Sequence, residues 1–501
     1  MADPAAGEIG AIHRQIAQAP NDPAPLRQLG RLHVPHDIRH AAICHGRAAA
    51  ITIDGSVHYE LGTTHLLAND PVAALKAFRR ALASLPTTLA VLANLSEAMA
   101  QINLLEDAIR WQQRALALNR GAAKVLANLA QAFNRAELPE AGLRKARGAI
   151  CLEPTLVPAH VNEGLAINGL GRRRQAERSF YRALAVEPHG AEAAFALSTC
   201  RLAAGDLQHG FRLYQKRFEL TEMQQARGHW SVPFWDGEIR TGLRLLLWCE
   251  QGFGDSLHFV RYVPILARRG IRLTLAAPPP LQRLFSSLQP RVPVCGLDDA
   301  PSAMDAHAPL MSLPHFLDTR LDSIPNDVPY LSVTGDESAV VTSGRPPRIG
   351  FIWAGRPEYR ADRMRSLSPR ILAALVDVLA TAGGSLYSLQ VGPRRIDLDR
   401  LRVPIIDLGG GFRDFADTAI AMSALDLVVT IDSAVAHLAG ALARPTWVML
   451  SHVPEWRWLE ERTDSPWYPT FRLYRQPRPG DWSSVTAAIS ADLPDWQYRK
   501  Q

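Results

Sequence analysis

Residues 427–440, Leu427-Val428-Val429-Thr430-Ile431-Asp432-Ser433-Ala434-Val435-Ala436-His437-Leu438-Ala439-Gly440, decide how this chain is read. The apolar, β-branched run without polar alternation predicts a strand buried on both faces, as in a parallel sheet. The small residues that follow predict a helix, with Asp432 and Ser433 at the junction where a side chain can cap it. A helix opening at the carboxyl end of a parallel strand points free N–H groups and its positive dipole end into the cleft. Ser433 and His437 are four apart and share one face of the first turn, and Ala434 lets a phosphate approach the backbone closely. The pattern predicts a diphosphate site and therefore a nucleotide-linked substrate.

The same strand-to-helix pattern begins earlier in the chain. Residues 243–248 (LRLLLW) and 271–276 predict buried strands, and 256–269 a helix between them. Strand–helix–strand order indicates a doubly wound parallel sheet. The intervening loop, Glu250-Gln251-Gly252-Phe253-Gly254-Asp255, starts like a dinucleotide fingerprint. Leu257 occupies the third glycine position, however, and no acidic residue ends the next strand, which disfavours a nicotinamide or flavin cofactor. What remains is a turn through Gly252 and Gly254 that directs Asp255 into the cleft, either as a helix cap or as a general base. A connector with Trp230, Pro233 and Trp235 precedes this module, and a polar stretch at 336–345 predicts a linker after it. Further strands are expected at 348–353, 385–390, 403–408, 427–431 and 446–450, with helices over 369–382 and 415–424. Two modules in tandem predict lobes at 223–342 and 343–501 with a cleft between them.

The first two-fifths of the chain repeats. Pro86, Pro154 and Pro188 are separated by 68 and then 34 residues. Leu61-Gly62, Ala74, Phe78, Ala81 and Pro86 share a register with Gly164, Ala176, Phe180, Ala183 and Pro188. Between them fall Leu95, Ala108 and Ala115, then Leu129, Phe133, Ala149 and Pro154. A degenerate first unit carries Leu29-Gly30, Ala42 and Ala49, and a last one Leu197, Gly210 and Tyr214. A period of 34 with small residues at two fixed positions describes stacked helix pairs, each closed by proline. The register resembles the tetratricopeptide repeat over about residues 23–222, so 1–222 is read as an α-helical tetratricopeptide superhelix. Such a superhelix offers a groove for a peptide or partner, or serves as a rigid spacer. Asn94, Asn128 and Asn162 recur at one point of successive repeats. They form either a ladder for an extended peptide backbone or a solvated row on the first helices.

Composition excludes several classes. Of 501 residues, 47% are apolar and 21% charged, an ordinary globular balance too long for one core. The absence of an 18-residue apolar run, and a start at Met1-Ala2-Asp3-Pro4 without basic and apolar regions, predict neither membrane span nor signal peptide. Cys44, Cys151, Cys200, Cys249 and Cys295 form no paired motif, so reduced thiols and a cytoplasmic location are expected. Net charge is +6, with 50 arginines against 5 lysines. Arginine suits phosphate recognition, and codon bias accounts for it equally well. No basic block or basic–aromatic alternation points to nucleic acid.

Three motifs together with the repeats carry a resemblance. EQGFGDSLHFVRYVP (250–264), RIGFIWAGRPEYRADRMRSLS (348–368) and TIDSAVAHLAGALARPTWVML (430–450) make the chain similar to bacterial tetratricopeptide-repeat glycosyltransferases. Their catalytic half resembles the heptosyltransferase-like family. The layout also resembles O-linked N-acetylglucosamine transferase, whose repeats hold the protein acceptor. The resemblance implies an α/β GT-B fold of two Rossmann-like lobes, a nucleotide-sugar donor, a protein or peptide acceptor and no metal. It implies that Asp255 is the base on the acceptor hydroxyl and that Ser433 and His437 meet the donor phosphates. It also calls for a basic residue after the first strand of the second lobe. No lysine stands there, and Arg356, Arg360, Arg363 and Arg365 are the candidates, with Arg365 favoured. Asp432 orients the donor sugar or caps the helix. Flagellin is the acceptor suggested by similar layouts, on analogy alone.

Other features have plainer readings. Asp397-Leu398-Asp399 has the form used by metal-dependent transferases of another fold, but sits in an arginine-flanked, surface-like loop. His258 and His437 lack metal-ligand spacing. Trp447, Trp456, Trp458, Trp467 and Trp482 are expected to pack the chain end against the lobes. Gly409-Gly410-Gly411 reads as a turn, and Asp414 as a helix cap. The expected activity is glycosyl transfer to a protein held by the repeats. Its rivals are transfer to a glycan or lipid-linked acceptor, and a scaffold whose transferase half has decayed. Neither base nor sugar of the donor is legible.

Overall fold

The computed structural model describes residues 4–220, 230–299, 301, 303–333, 344–357 and 362–498. The expected boundaries at 222/223 and 342/343, and Arg360, lie outside these residues. The chain folds as two compact units, Met1–Leu197 and Ser198–Gln501.

The first unit is a series of helix pairs. First helices begin at Gly55, Leu89, Ala123, Val157 and Ala191, and second helices at Pro71, Leu105, Pro139, Arg173 and Leu207, a step of 34 in each series. The helix Ala191–Ala203 crosses the unit boundary, and Leu207–Tyr214 lies within the second unit. Each pair turns through one left-handed residue, and these too recur every 34: Asn69, Asn103, Glu137, Gly171 and Gly205, at φ 57, 64, 60, 75 and 85°. Asn and Gly adopt this conformation readily, and Glu137 does so at a cost of roughly 1–2 kcal/mol.

Small residues set the helix spacing. Ala74, Ala108 and Ala176, then Ala81, Ala115, Ala149 and Ala183, are fully buried at two fixed points of the repeat. A methyl group at Gly62 would come within 2.5 Å of the Phe78 ring, and one at Gly164 within 2.4 Å of Phe180. The glycine is therefore the room the aromatic ring needs.

The second unit carries two all-parallel sheets. In the first, β1 (Arg244–Trp248), β2 (Arg272–Ala276), β3 (Val294–Cys295) and β4 (Ala306–Pro309) lie in the order β3-β2-β1-β4. The second contains β5 (Arg348–Ile352), β6 (Ser385–Ser388), β7 (Ile405–Asp407), β8 (Leu427–Ile431), β9 (Thr446–Leu450) and β10 (Phe471–Arg475). Its order is β10-β9-β8-β5-β6-β7. Counted within the sheet this is 3-2-1-4-5-6 read from the β7 edge, the doubly wound order whose direction reverses between the first and fourth strands.

Five of the seven strands expected here appear within a residue at each end. The other two, expected at 385–390 and 403–408, are shorter. β3, β4 and β10 were not anticipated. β4 reads Ala-His-Ala-Pro, without a β-branched residue, and its pairing to β1 rather than its propensity makes it a strand. The helix expected over 256–269 is two, Phe253–Phe259 and Tyr262–Arg268. Pro264 has no N–H for a continuous ladder and sits in the first turn of the second helix, where none is needed.

The core of the second sheet joins Phe351, Trp353, Val429, Ile431 and Met449 to Leu375 and Leu379 of the helix Pro369–Ala380. Trp482, Val485 and Ile489 of the last helix, Trp482–Tyr498, complete it. Trp447 lies 5.4 Å from Tyr474 and 6.2 Å from Trp496, so Trp447 and Trp482 pack the chain end as expected.

Candidate functional site

The carboxyl ends of β5 and β8 lie side by side where the strand order reverses. The helix Ala434–Ala441 opens there with Ser433 at its N-cap, in extended backbone at φ −150° and ψ 170°. Ser433 makes no side-chain cap bond, and its hydroxyl lies 3.3 Å from that of Thr430. Its oxygen is thus not committed to the helix it precedes. Asp432 beside it is half-buried. Burial pushes its carboxyl above the usual carboxylate range, and Arg365, then the indole N–H of Trp458, then Arg457 pull it back.

The glycine loop meets this helix directly. A methyl group at Gly254 would stand 3.0 Å from His437 Cδ2 and 3.4 Å from Ala434 Cα. The glycine therefore brings two helix starts together, a requirement not visible in the loop alone. Gly252 is the N-cap of Phe253–Phe259, and its N–H donates to Asp255 Oδ2 at 2.9 Å. Asp255 is a cap, as its position allowed, and its other oxygen accepts from Arg457 Nη2 at 2.5 Å.

Arg457 is the residue the sequence reading missed. Its guanidinium is buried over the faces of Trp456 (4.4 Å) and Phe259 (5.1 Å). Nη1 pairs with Glu455, and Nε has no partner. Burial pushes the Glu455 carboxyl up to about 7 although Arg457 pulls the other way. The signal available was Glu455-Trp456-Arg457-Trp458, charges interleaved with tryptophans soon after a parallel strand, where only tryptophan packing was expected.

His437 is held on two sides. Its ring stacks on Trp458 at 5.3 Å and 10°, and Nδ1 lies 3.0 Å from Tyr468 Oη. The same hydroxyl lies 2.9 Å from His258 Nδ1. One hydroxyl hydrogen serves at most one ring, so at least one of the two imidazoles presents Nδ1–H to the phenol oxygen. Burial keeps both far below the usual histidine range and neutral. Arg261 lies over the Tyr468 ring at 4.6 Å and donates to the Trp467 carbonyl at 2.9 Å. Trp456, Trp458 and Trp467 therefore build this site.

Among the arginines after β5, Arg356 and Arg363 are exposed. Arg365 is half-buried, donates to Asp362 at 3.3 Å and acts on both Asp432 and His437. The favoured candidate is thus the one brought to the helix start. In the Asp397-Leu398-Asp399 segment, Asp397 is buried and accepts from Arg394 Nε (2.7 Å) and Trp353 Nε1 (3.1 Å), while Asp399 is exposed. The two carboxylates do not converge. Among the described residues no group of three His, Cys, Asp or Glu side chains could hold a metal.

Asp414 caps Phe415–Ser423 and also pairs with Arg283. Gly409 passes so close to Gln390 that a methyl group would lie 1.9 Å from its carbonyl oxygen, which accounts for the glycine turn sterically. A cavity of about 390 Å³ lined by Arg395, Leu398, Asp399 and Asp407 lies by β7, away from the β5/β8 strand ends.

The three recurring asparagines do not share one environment. Asn162 is buried, and its Nδ2 donates to the Ala127 carbonyl at 3.1 Å, one repeat back. Asn94 donates to Tyr59 Oη at 3.2 Å, also one repeat back, and Asn128 is half-buried. Asn162 ties repeats together, because its amide is taken up by backbone.

No protein-family model matches the chain. It is 27% identical over 335 residues to Protein FlbA of Caulobacter vibrioides (strain ATCC 19089 / CIP 103742 / CB 15), a match covering 60% of this chain. The chain spans about half the length of that relative, 55%. Among solved structures, a thermophilic TPR protein of Thermus thermophilus is 26% identical. It covers 33% of this chain and 90% of its own, with a TM-score of 0.31. YrrB, described as a TPR protein with an unusual peptide-binding site, is 16% identical and covers 37% and 97%, also at 0.31. No helix among the described residues is long and apolar enough to cross a membrane.

Proposed function

We propose that this chain is a GT-B-type glycosyltransferase that moves a sugar from a nucleotide-sugar donor to a protein acceptor engaged by the repeats. The observation that carries the reading is the β5/β8 reversal point. Ser433, its hydroxyl unused by the helix, stands there beside Arg365 and Asp432. Ligands of doubly wound sheets bind at this place, and helix starts favour phosphate.

In the proposed reaction the acceptor hydroxyl oxygen bonds to the anomeric carbon. The bond from that carbon to the diphosphate breaks, and the nucleoside diphosphate leaves with the electron pair. The hydroxyl proton passes to a carboxylate, Asp255 by resemblance. Ser433, His437, the Ala434 amide and Arg365 take up the diphosphate charge, the kind of preorganised stabilisation that carries most such transfers. Flagellin remains the acceptor to try first.

The test is a thermal-shift panel of UDP-, GDP-, ADP- and CMP-sugars, followed by labelled sugar transfer with and without residues 1–222. Stabilisation by one donor class and transfer to protein only by the full chain support the reading. Transfer to a small acceptor by the truncated chain would favour a glycan or lipid-linked acceptor. One observation favours a non-catalytic scaffold: Asp255 and His437 are both engaged by neighbouring side chains. Protection by none of the donors would support that alternative.

A further inference from the structure

Asp255 is pinned at both oxygens. Gly252 N–H holds Oδ2 at 2.9 Å, and Arg457 Nη2 holds Oδ1 at 2.5 Å. With both oxygens taken by these donors, the carboxylate is not free to turn toward an acceptor hydroxyl. Arg457 in turn is buried, 4% exposed, with its Nε–H unpartnered. A buried donor without an acceptor is rare and marks a missing partner. The charged and titratable groups acting on Arg457 or acted on by it come from several elements. Glu455 sits on its own loop, Asp255 on the glycine-loop helix, Tyr214 on Leu207–Tyr214, and Asp432 and His437 at the second-lobe helix start. The guanidinium therefore holds the carboxylate named as base and also acts on Asp432 and His437 at the place named for the diphosphate, where Trp458, its neighbour in sequence, stacks on His437.

We infer that Arg457 changes partners: it masks Asp255 in the free protein and turns to the diphosphate of the incoming donor, releasing Asp255 to receive the acceptor proton. This rests on the transferase reading above. A diphosphate brings more negative charge than one carboxylate and can take Nε and Nη together, as arginine does in bidentate anion contacts. Donor binding then comes first and switches the base on, which protects the activated sugar from attack before an acceptor arrives.

Competition for one guanidinium has a signature that does not need turnover. We would measure dissociation constants for UDP, GDP and ADP, with CMP as the monophosphate comparison, for wild-type protein, D255N, R457Q, R457K and the double variant D255N/R457Q. Removing the competitor should tighten the preferred diphosphate about 3- to 10-fold in D255N, and R457Q should weaken it about 10- to 100-fold, the range of a charged hydrogen bond. R457K keeps the charge and should fall between R457Q and wild type. The double variant should match R457Q, since without Arg457 the aspartate has nothing to compete for. Melting of each unliganded variant checks that it folds, and R457K covers the case in which R457Q does not. Unchanged or weaker binding by D255N, while wild type binds normally, would overturn the partner exchange and leave the transferase reading standing. Binding of no nucleotide by wild type would remove both.

Discussion

The two parallel sheets of the second unit share an order over their first four strands, yet treat their reversal points oppositely. Between β1 and β4 of the first sheet, the crevice is filled by the chain itself. Arg217 is fully buried and donates to both Glu250 oxygens at 3.0 and 2.7 Å and to Ser312 at 2.8 Å. Between β5 and β8 of the second sheet stand Gly355, Asp432 and Ala434, all partly exposed. One topology thus gives a crevice filled by a buried ion pair in the first sheet and a partly exposed corner in the second. Arg217 also falls where earlier repeats carry Ala81, Ala115, Ala149 and Ala183. The 3-10 helix Gln215–Glu219 that follows the last repeat-like helix thus carries, at the helix-packing position, a residue that pairs with the loop after β1.

The contrast can be broken or sharpened experimentally. The largest effect is expected from Asp255→Asn, which on the proposed transferase reading removes the base that the first sheet supplies. Turnover should fall about 10²- to 10⁴-fold, measured as labelled sugar transfer. Full activity would reduce the first sheet to support. Next, Arg217→Ala should strand Glu250 and destabilise by about 3–5 kcal/mol, read as urea unfolding followed by tryptophan fluorescence. Replacing Arg217 and Glu250 together by Met and Leu should cost far less, and an equal loss would mean that the pair is not the joint.

Gly254→Ala tests how tightly the two sheets' helices meet. Its methyl group 3.0 Å from His437 should cost about 1–3 kcal/mol. A neutral result would show slack at that contact.

The smallest effect concerns Glu455. Its folded value of about 7 lies above the ordinary 4.5, so the folded state holds the proton more tightly between them. Its contribution to stability is present at low pH and lost as pH rises through about 7. Glu455→Gln should therefore fall off less than wild type over that window in paired melting curves. Neutral His258 and His437, whose values are depressed, act in the opposite sense and are common to both proteins.

What was legible in the sequence follows from how local each signal is. The repeat was readable because small residues at fixed spacing are imposed by helix contact within a few turns. The left-handed turn residues were readable in principle, but Asn, Asn, Glu, Gly and Gly share a backbone conformation rather than a side-chain type. β8 and β9 matched to the residue because both are buried on both faces. β4 did not, since only a partner about 60 residues away makes Ala-His-Ala-Pro extended. At the β8 corner, Ser433 and His437 were named from their spacing, and Arg365 as the favoured of four arginines that the resemblance called for. Arg457, Glu455, Tyr468 and Arg261 could not, because each is defined by neighbours brought in from distant elements.

The hydroxyl lodged between two imidazoles has a consequence for what the pocket can hold. Suppose His437 offers Nε2–H to an anion. Its Nδ1 must then be bare, Tyr468 donates to it, and His258 supplies Nδ1–H to the phenol. That leaves His258 Nε2, which is buried and finds no partner, as an unprotonated lone pair. The occupant of the corner at Ser433 would thus fix the hydrogen order of a ring it never touches.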